Sequence, residues 1–208
     1  MTTSDQTKPD KHLSGEGHAH HQFNPARAEE FREPDRLQAL KIPELLQTLS
    51  IQPTDHVLDL GTGSGALLPQ LSSAIPEGVV IGADISTEIL NMTREYVQEK
   101  KLQNVTLLRN DPDQLSPHDE TQDTVLIVSS LHEFSEPEPM LSEIHRVLKP
   151  GGQLGILEWR QAETPEGPPL DHRFDAGTIR NWLESAGFED TTVQQWSSEG
   201  YDLYRAYK

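Results

Sequence analysis

Val57-Leu-Asp-Leu-Gly-Thr-Gly-Ser-Gly65 decides how this chain reads. Its first half completes a short apolar strand at 56–60, and its second half sets glycines at 61, 63 and 65 ahead of a helical pattern at 66–74. Glycines at such a turn let the backbone bend tightly and let a ligand approach with no Cβ in the way. The helix that follows presents unpaired N–H groups at its start. A strand, a glycine turn and a helix in that order open a parallel α/β sheet.

The alternation continues on both sides of that stretch. Further strands are predicted at 79–85, 105–108, 124–129 and 153–159, with helices at 86–100, 137–148 and 175–187. Ser86 is placed to cap the first of these helices. Met140, Leu141, Ile144 and Val147 share one face of the second, and Lys149-Pro-Gly-Gly152 supplies its stop. Strands at 191–196 and 201–207, joined through Gly200, read as an antiparallel hairpin at the sheet edge. The other strands are apolar on both faces, as in a parallel sheet covered by helices on either side. Upstream, Leu37, Leu40, Leu45, Leu46 and Leu49 give 34–50 an amphipathic helical pattern interrupted at Pro43, a residue suited to the first turn of a new helix.

The 208 residues fit one domain. Residues 1–22 are polar and read as a tail, 23–208 as a single domain, and 23–50 as an N-terminal helical segment able to cover a site. Within the tail, His18, His20 and His21 have no acidic or cysteine partner at metal-ligand spacing, so no metal site is expected; His21 and Phe23 could instead join a cover. Cysteine is absent, which excludes disulfides, thiolate nucleophiles and Cys-ligated metals. No apolar run reaches the roughly 18 residues of a membrane span, and 1–22 holds no signal-peptide core, so the cytoplasm is the expected location. With 17 basic against 34 acidic residues the formal charge is −17, which disfavours nucleic acid and anionic lipid as partners.

A nucleoside-containing ligand is expected at the C-terminal strand ends. Asp84, in Ile81-Gly-Ala-Asp84, closes the strand after the glycine turn, about 20 residues on, where a carboxylate can accept both hydroxyl hydrogens of a ribose. The spacing Gly61-x-Gly63-x-x-Ala66 also satisfies a loose dinucleotide fingerprint. Two details argue against a nicotinamide dinucleotide: the third glycine comes one position early, and Asp59 sits two residues before the first. A carboxylate at 59 opposes a pyrophosphate and suits a sulfonium and an ammonium group, the charges of S-adenosylmethionine.

The chain resembles the class I S-adenosylmethionine-dependent methyltransferases, in the small-molecule branch around the ubiquinone/menaquinone C-methyltransferases. The resemblance rests on VLDLGTGSG (57–65), GADIS (82–86), RNDPDQL (109–115), VSSLHEFSEP (128–137), HRVLKPGG (145–152) and LEWR (157–160). It implies a three-layer α/β sandwich with a Rossmann-like, seven-stranded, mostly parallel sheet whose last strand inserts antiparallel. It implies methyl transfer from S-adenosylmethionine to a small molecule.

By the same resemblance Asp59, Gly61, Gly63 and Gly65 hold the methionine part of the cofactor, Asp84 the ribose, and Ile85 packs on the adenine. Asp111, with Asn110 as a neighbouring candidate, accepts from the adenine amino group, and Ser129 contacts the cofactor amino acid. His132 follows at the mouth of the site, where an imidazole could take the acceptor's proton; many methyl transfers need only proximity and orientation. Glu133 reads as a structural or substrate-orienting residue. Arg160 reads either as a partner for an acidic substrate or for one of the chain's own carboxylates. His172 and Arg173, after Gly167-Pro-Pro169, read either as substrate-side residues or as parts of a loop stiffened by proline. The acceptor pocket is expected to draw on 20–45, 130–134 and 160–175. Two other functions stay open on sequence grounds: an NAD(P)-dependent oxidoreductase, and a module that binds S-adenosylmethionine without turnover. The oligomeric state is open.

Overall fold

The computed structural model describes residues 28–164, 166–197 and 200–208. The expected tail at 1–22, its histidines and Phe23 lie outside the described residues. Seven strands form one sheet: β1 (His56–Leu60), β2 (Val79–Asp84), β3 (Val105–Arg109), β4 (Gln122–Val128), β5 (Leu148–Trp159), β6 (Glu189–Gln195) and β7 (Tyr201–Tyr207). Their spatial order is β3-β2-β1-β4-β5-β7-β6. β1 pairs in parallel with β2 and β4, whereas β7 runs antiparallel to both β5 and β6. The hairpin forms the sheet edge as expected, and β7, the last strand, inserts antiparallel between β5 and the outer strand β6 as the resemblance implied.

Alternation along the central strands splits the core in two. Leu58, Val125, Ile127, Leu154 and Ile156 face α5 (Pro137–Val147) and α6 (Ala176–Ser185). Val57, Val80, Leu126 and Leu157 face the other layer, which includes α1 (Pro34–Leu40), α2 (Ile42–Thr48) and α3 (Leu68–Ala74). Such period-two segregation is what a sheet covered on both faces requires. α4 (Thr87–Glu99) begins beyond β2, where Ser86 Oγ accepts from Ile89 N at 3.3 Å. Lys41, at φ 51°, separates α1 from α2, and Pro43 falls in the first turn of α2.

β5 starts earlier than expected. Lys149-Pro-Gly-Gly152 ends α5, but the same residues already belong to the strand. Gly151 N donates to Lys208 O and Lys208 N to Gly152 O, each at 3.0 Å, so the C-terminus pins this turn into the sheet.

The chain leaves β1 for β2 and β3 on one side and returns to β4 on the other. The sheet thus changes direction between β1 and β4, and a crevice opens beyond their C-terminal ends, the position where such sheets bind ligands.

Candidate functional site

The glycine turn after β1 is built by its neighbours. Gly61 N and Thr62 N both donate to Ala83 O at 2.9 Å, and Thr93 Oγ1 of α4 donates to Gly63 O at 2.6 Å. Gly61 adopts φ +74°, and a Cβ there would lie 2.5 Å from Ser130 Oγ. Only glycine meets both conditions. Gly65 has the same φ, but its Cβ would meet Thr93 Cγ2 at 2.7 Å. Its role is close packing of the turn against α4.

Above the turn lies a cavity of about 470 Å³. That is within the roughly 300–1,000 Å³ of small-molecule sites. Asp59, Gly61, Gly63, Asp84, Ile85 and Ser129 all line it, so six of the expected cofactor positions converge. Asp84 is fixed by two backbone donors, Gly63 N to Oδ2 at 3.1 Å and Ser86 N to Oδ1 at 2.9 Å. It thereby ties the turn to the start of α4. Asp59 is buried and accepts from Thr62 Oγ1 at 2.7 Å.

Both carboxyls are held above the ordinary aspartate range. For Asp59, burial pushes the pKa up to about 6; the Thr62 bond lowers it and the charge of Asp84 raises it further. For Asp84, burial raises it against the opposing bonds from Ser86, Gly63 and Ile85. Two desolvated carboxylates at one end of a cavity favour a cation between them.

Asn110 and Asp111 exchange their expected places. Asp111 is half exposed, pairs with Arg109 at 3.1 Å and does not border the cavity. Asn110 does border it and is buried. Its Nδ2 donates to Asp111 O at 2.9 Å, while its buried Oδ1 has no partner. Thus Asn110, rather than Asp111, brings an unpartnered acceptor to the cavity wall.

Other expected residues also lie outside the cavity wall. Arg160 pairs with Asp202 at 3.0 Å, the second of the two readings left open for it. Arg173 is buried, and its guanidinium donates to Pro168 O, Arg160 O, Ala162 O and Glu166 O at 2.8–3.3 Å. It staples the loop after β5 and has its donors committed there. His172 lies in the short turn Leu170–His172, away from the wall, and the loop expected at 160–175 does not border the cavity. His132 sits behind the wall, with Nδ1 3.0 Å from Glu158 Oε1.

Residues absent from the expected set do line the cavity: Thr62, Glu88 and Met140. Met140 carried only the signal of a core-facing helix residue. Phe31, Arg36 and Leu40 enter from the N-terminal segment, and Ser130, Glu133 and Phe134 from the turn after β4. Ser129, at φ +54°, holds the left-handed backbone conformation that turns the chain there, and Trp159 Nε1 donates to its Oγ at 3.0 Å. Strained backbone of this kind concentrates at ligand sites.

The fold and this cavity define a Rossmann-like nucleoside-binding domain. A family model described as a methyltransferase domain matches residues 57–152. The crystal structure of an S-adenosylmethionine-dependent methyltransferase from Aquifex aeolicus is 30% identical, with a TM-score of 0.79, covering 89% of this chain and 97% of that one. The ubiquinone/menaquinone biosynthesis C-methyltransferase of Vibrio vulnificus is 28% identical over 192 residues, 76% of this chain and 73% of the relative. The demethylmenaquinone methyltransferase of Listeria welshimeri is 34% identical over 123 residues, 59% of this chain and 52% of the relative.

The chain belongs to the class I S-adenosylmethionine-dependent methyltransferases. It is a transferase that uses S-adenosylmethionine as methyl donor. None of these relatives supports the oxidoreductase or the turnover-free module. Among the described residues no helix is long and apolar enough to cross a membrane.

Proposed function

We propose that the acceptor is a small, largely apolar, ring-bearing molecule held beside Phe31, Leu40, Phe134 and Met140. The observation that carries this reading is the lining of the cavity, which sets these four large apolar side chains in one wall with the buried Asp59 and Asp84 and with Arg36, Glu88 and Glu133. The Vibrio and Listeria relatives, named for quinone biosynthesis, support a ring acceptor.

The residues present fit the cofactor. Asp59 balances positive charge near the turn, and the glycine at 61 leaves the backbone open to close approach. Asp84 spends one acceptor site per oxygen on backbone N–H groups and keeps others for ribose hydroxyls. Ile85, exposed at the rim, covers an adenine, and the unpaired Oδ1 of Asn110 accepts from its amino group. Ser129 and its strained backbone orient the amino-acid end. When bound, S-adenosylmethionine supplies a methyl group on a positively charged sulfur. The protein's part is to align the acceptor with that carbon and keep water out, which Phe31 and Phe134 do with apolar bulk. A non-nucleic-acid acceptor is supported by the charge of −17.

Transfer of labelled methyl to 1,4-naphthohydroquinone, with a small zwitterionic amine as control, tests the acceptor. Label in the naphthol product alone is the expected result; label only in the amine would overturn the ring reading.

A further inference from the structure

Three titratable side chains line up from the cavity wall inward. Glu133 lines the cavity, His132 stands behind it and Glu158 lies behind that. Glu158 is 1% exposed, yet both oxygens of its carboxylate have partners. Trp159 N donates to Oε1 at 2.7 Å, His132 N to Oε2 at 3.3 Å, and the His132 ring reaches Oε1 at 3.0 Å. An ionised carboxylate can only accept, so the ring nitrogen facing it, Nδ1, carries the hydrogen. The other nitrogen, Nε2, then points its lone pair toward Glu133 Oε1, 3.9 Å away. Both atoms are acceptors in that state, so a hydrogen bond between them needs one proton on either group, the proton that a relay would carry.

Placement follows from the fold. Glu158 alternates with Leu157 and Trp159 at the end of β5, and its face of the sheet is the one beneath the turn Leu131–Glu133. That turn leaves β4 through Ser129 and Ser130, so consecutive residues 132 and 133 bridge from the buried carboxylate to the cavity.

We infer that Glu133 is a catalytic residue which takes the acceptor's proton, and that His132 and Glu158 are positioning residues which receive and balance it. This rests on the methyl-transfer reading above and narrows its substrate class: the acceptor's nucleophilic atom bears, or is conjugated to, a proton that must leave, as in a phenol or hydroquinone. The acceptor atom forms its bond to the methyl carbon as the carbon–sulfur bond breaks, and that electron pair stays on sulfur. The acceptor's proton goes to the Glu133 carboxylate and on to Nε2 of His132, where Glu158 offsets the imidazolium charge.

The groups facing His132 are Glu158 from β5, Glu133 from its own turn and Arg173 from the loop after β5. Burial lowers the His132 pKa, but the charge and hydrogen bond of Glu158, with Glu133, outweigh it and leave the net value raised. The neutral, proton-accepting form therefore fills only as the pH rises through that raised value.

The test is an imidazole titration of His132 by NMR in the full chain, with and without S-adenosylhomocysteine, beside kinetics on 1,4-naphthohydroquinone. Glu133→Gln is expected to move the His132 midpoint down by a few tenths of a pH unit, and Glu158→Gln by about one or more, the scale of a neighbouring opposite charge. Glu133→Gln should also lower kcat by about 100-fold, the scale of general-base catalysis, with KM and S-adenosylhomocysteine affinity within about threefold. The wild-type kcat should rise with pH through the NMR midpoint, and that limb should vanish in Glu133→Gln. Glu133 is 31% exposed, so its substitution keeps the fold even where Glu158→Gln does not. A His132 midpoint identical in Glu133→Gln and wild type overturns the relay, as does an unchanged kcat. Wild-type protein that binds S-adenosylhomocysteine but leaves naphthohydroquinone unmethylated overturns the ring-acceptor reading, and the NMR arm still judges the relay.

Discussion

Asp59 works against the stability of the empty protein. An aspartate ordinarily titrates at 3.8, and burial holds this one at about 6. Between those values the folded chain keeps a proton that the unfolded chain has lost, so stability falls as the pH rises through the window. By pH 8 the loss amounts to about 3 kcal/mol. Asp59→Asn should therefore stabilise the unliganded protein by about 1–3 kcal/mol at pH 8 and have little effect at pH 4, read by denaturant titration. The same variant should lose affinity for S-adenosylmethionine more than for S-adenosylhomocysteine, which keeps the ammonium group but lacks the sulfonium charge, and wild-type affinity for the former should climb as the pH passes about 6. Asp84→Ala should weaken S-adenosylhomocysteine by about 1.5–3 kcal/mol, the scale of a hydrogen bond to a charged group. Equal affinities for Asp84→Ala and wild type would take Asp84 out of the site.

Which residues were legible follows from what fixes them. Asp59 and Asp84 are set by strand register and turn spacing, both visible in the sequence. Asp111 was not legible, because rotation at the end of β3 decides whether residue 110 or 111 faces the cavity. Arg109 takes Asp111 outward.

At the scale of elements, the turn and the loop after β5 behave differently. Gly61→Ala puts a Cβ 2.5 Å from Ser130 Oγ at φ +74°. Left-handed backbone alone costs about 1–2 kcal/mol for a side-chain-bearing residue. The variant should lose both thermal stability and S-adenosylhomocysteine binding. Arg173→Lys removes a planar donor set that holds four carbonyls across residues 160–168. Lysine cannot reproduce it, so about 2–4 kcal/mol of stability should go while S-adenosylhomocysteine affinity stays put. A selective fall in affinity would return Arg173 to the site. Sequence pattern located every strand and the helices that follow them. It could not place β7 between β5 and β6, because local alternation says that two strands form a hairpin and nothing about which one pairs inward. The early start of β5 was hidden for a similar reason: Lys149-Pro-Gly-Gly152 reads as a stop, and only the distant backbone of Lys208 recruits it to the sheet.

For the molecule as a whole, the formal charge of −17 sets the surface field. Salt screens such self-repulsion, with a Debye length of about 3 Å at 1 M against about 10 Å at 0.1 M. Raising sodium chloride between those concentrations should stabilise the protein by about 1 kcal/mol, or about 2–4 °C in Tm. The charge also makes the cationic cofactor the natural guest of a cavity whose buried end is acidic. Calorimetric titration of the wild-type chain with S-adenosylhomocysteine and, separately, with NAD tests that claim most directly. Saturable heat at one site for S-adenosylhomocysteine and none for NAD is the expected result; saturable heat for NAD with none for S-adenosylhomocysteine would contradict the account.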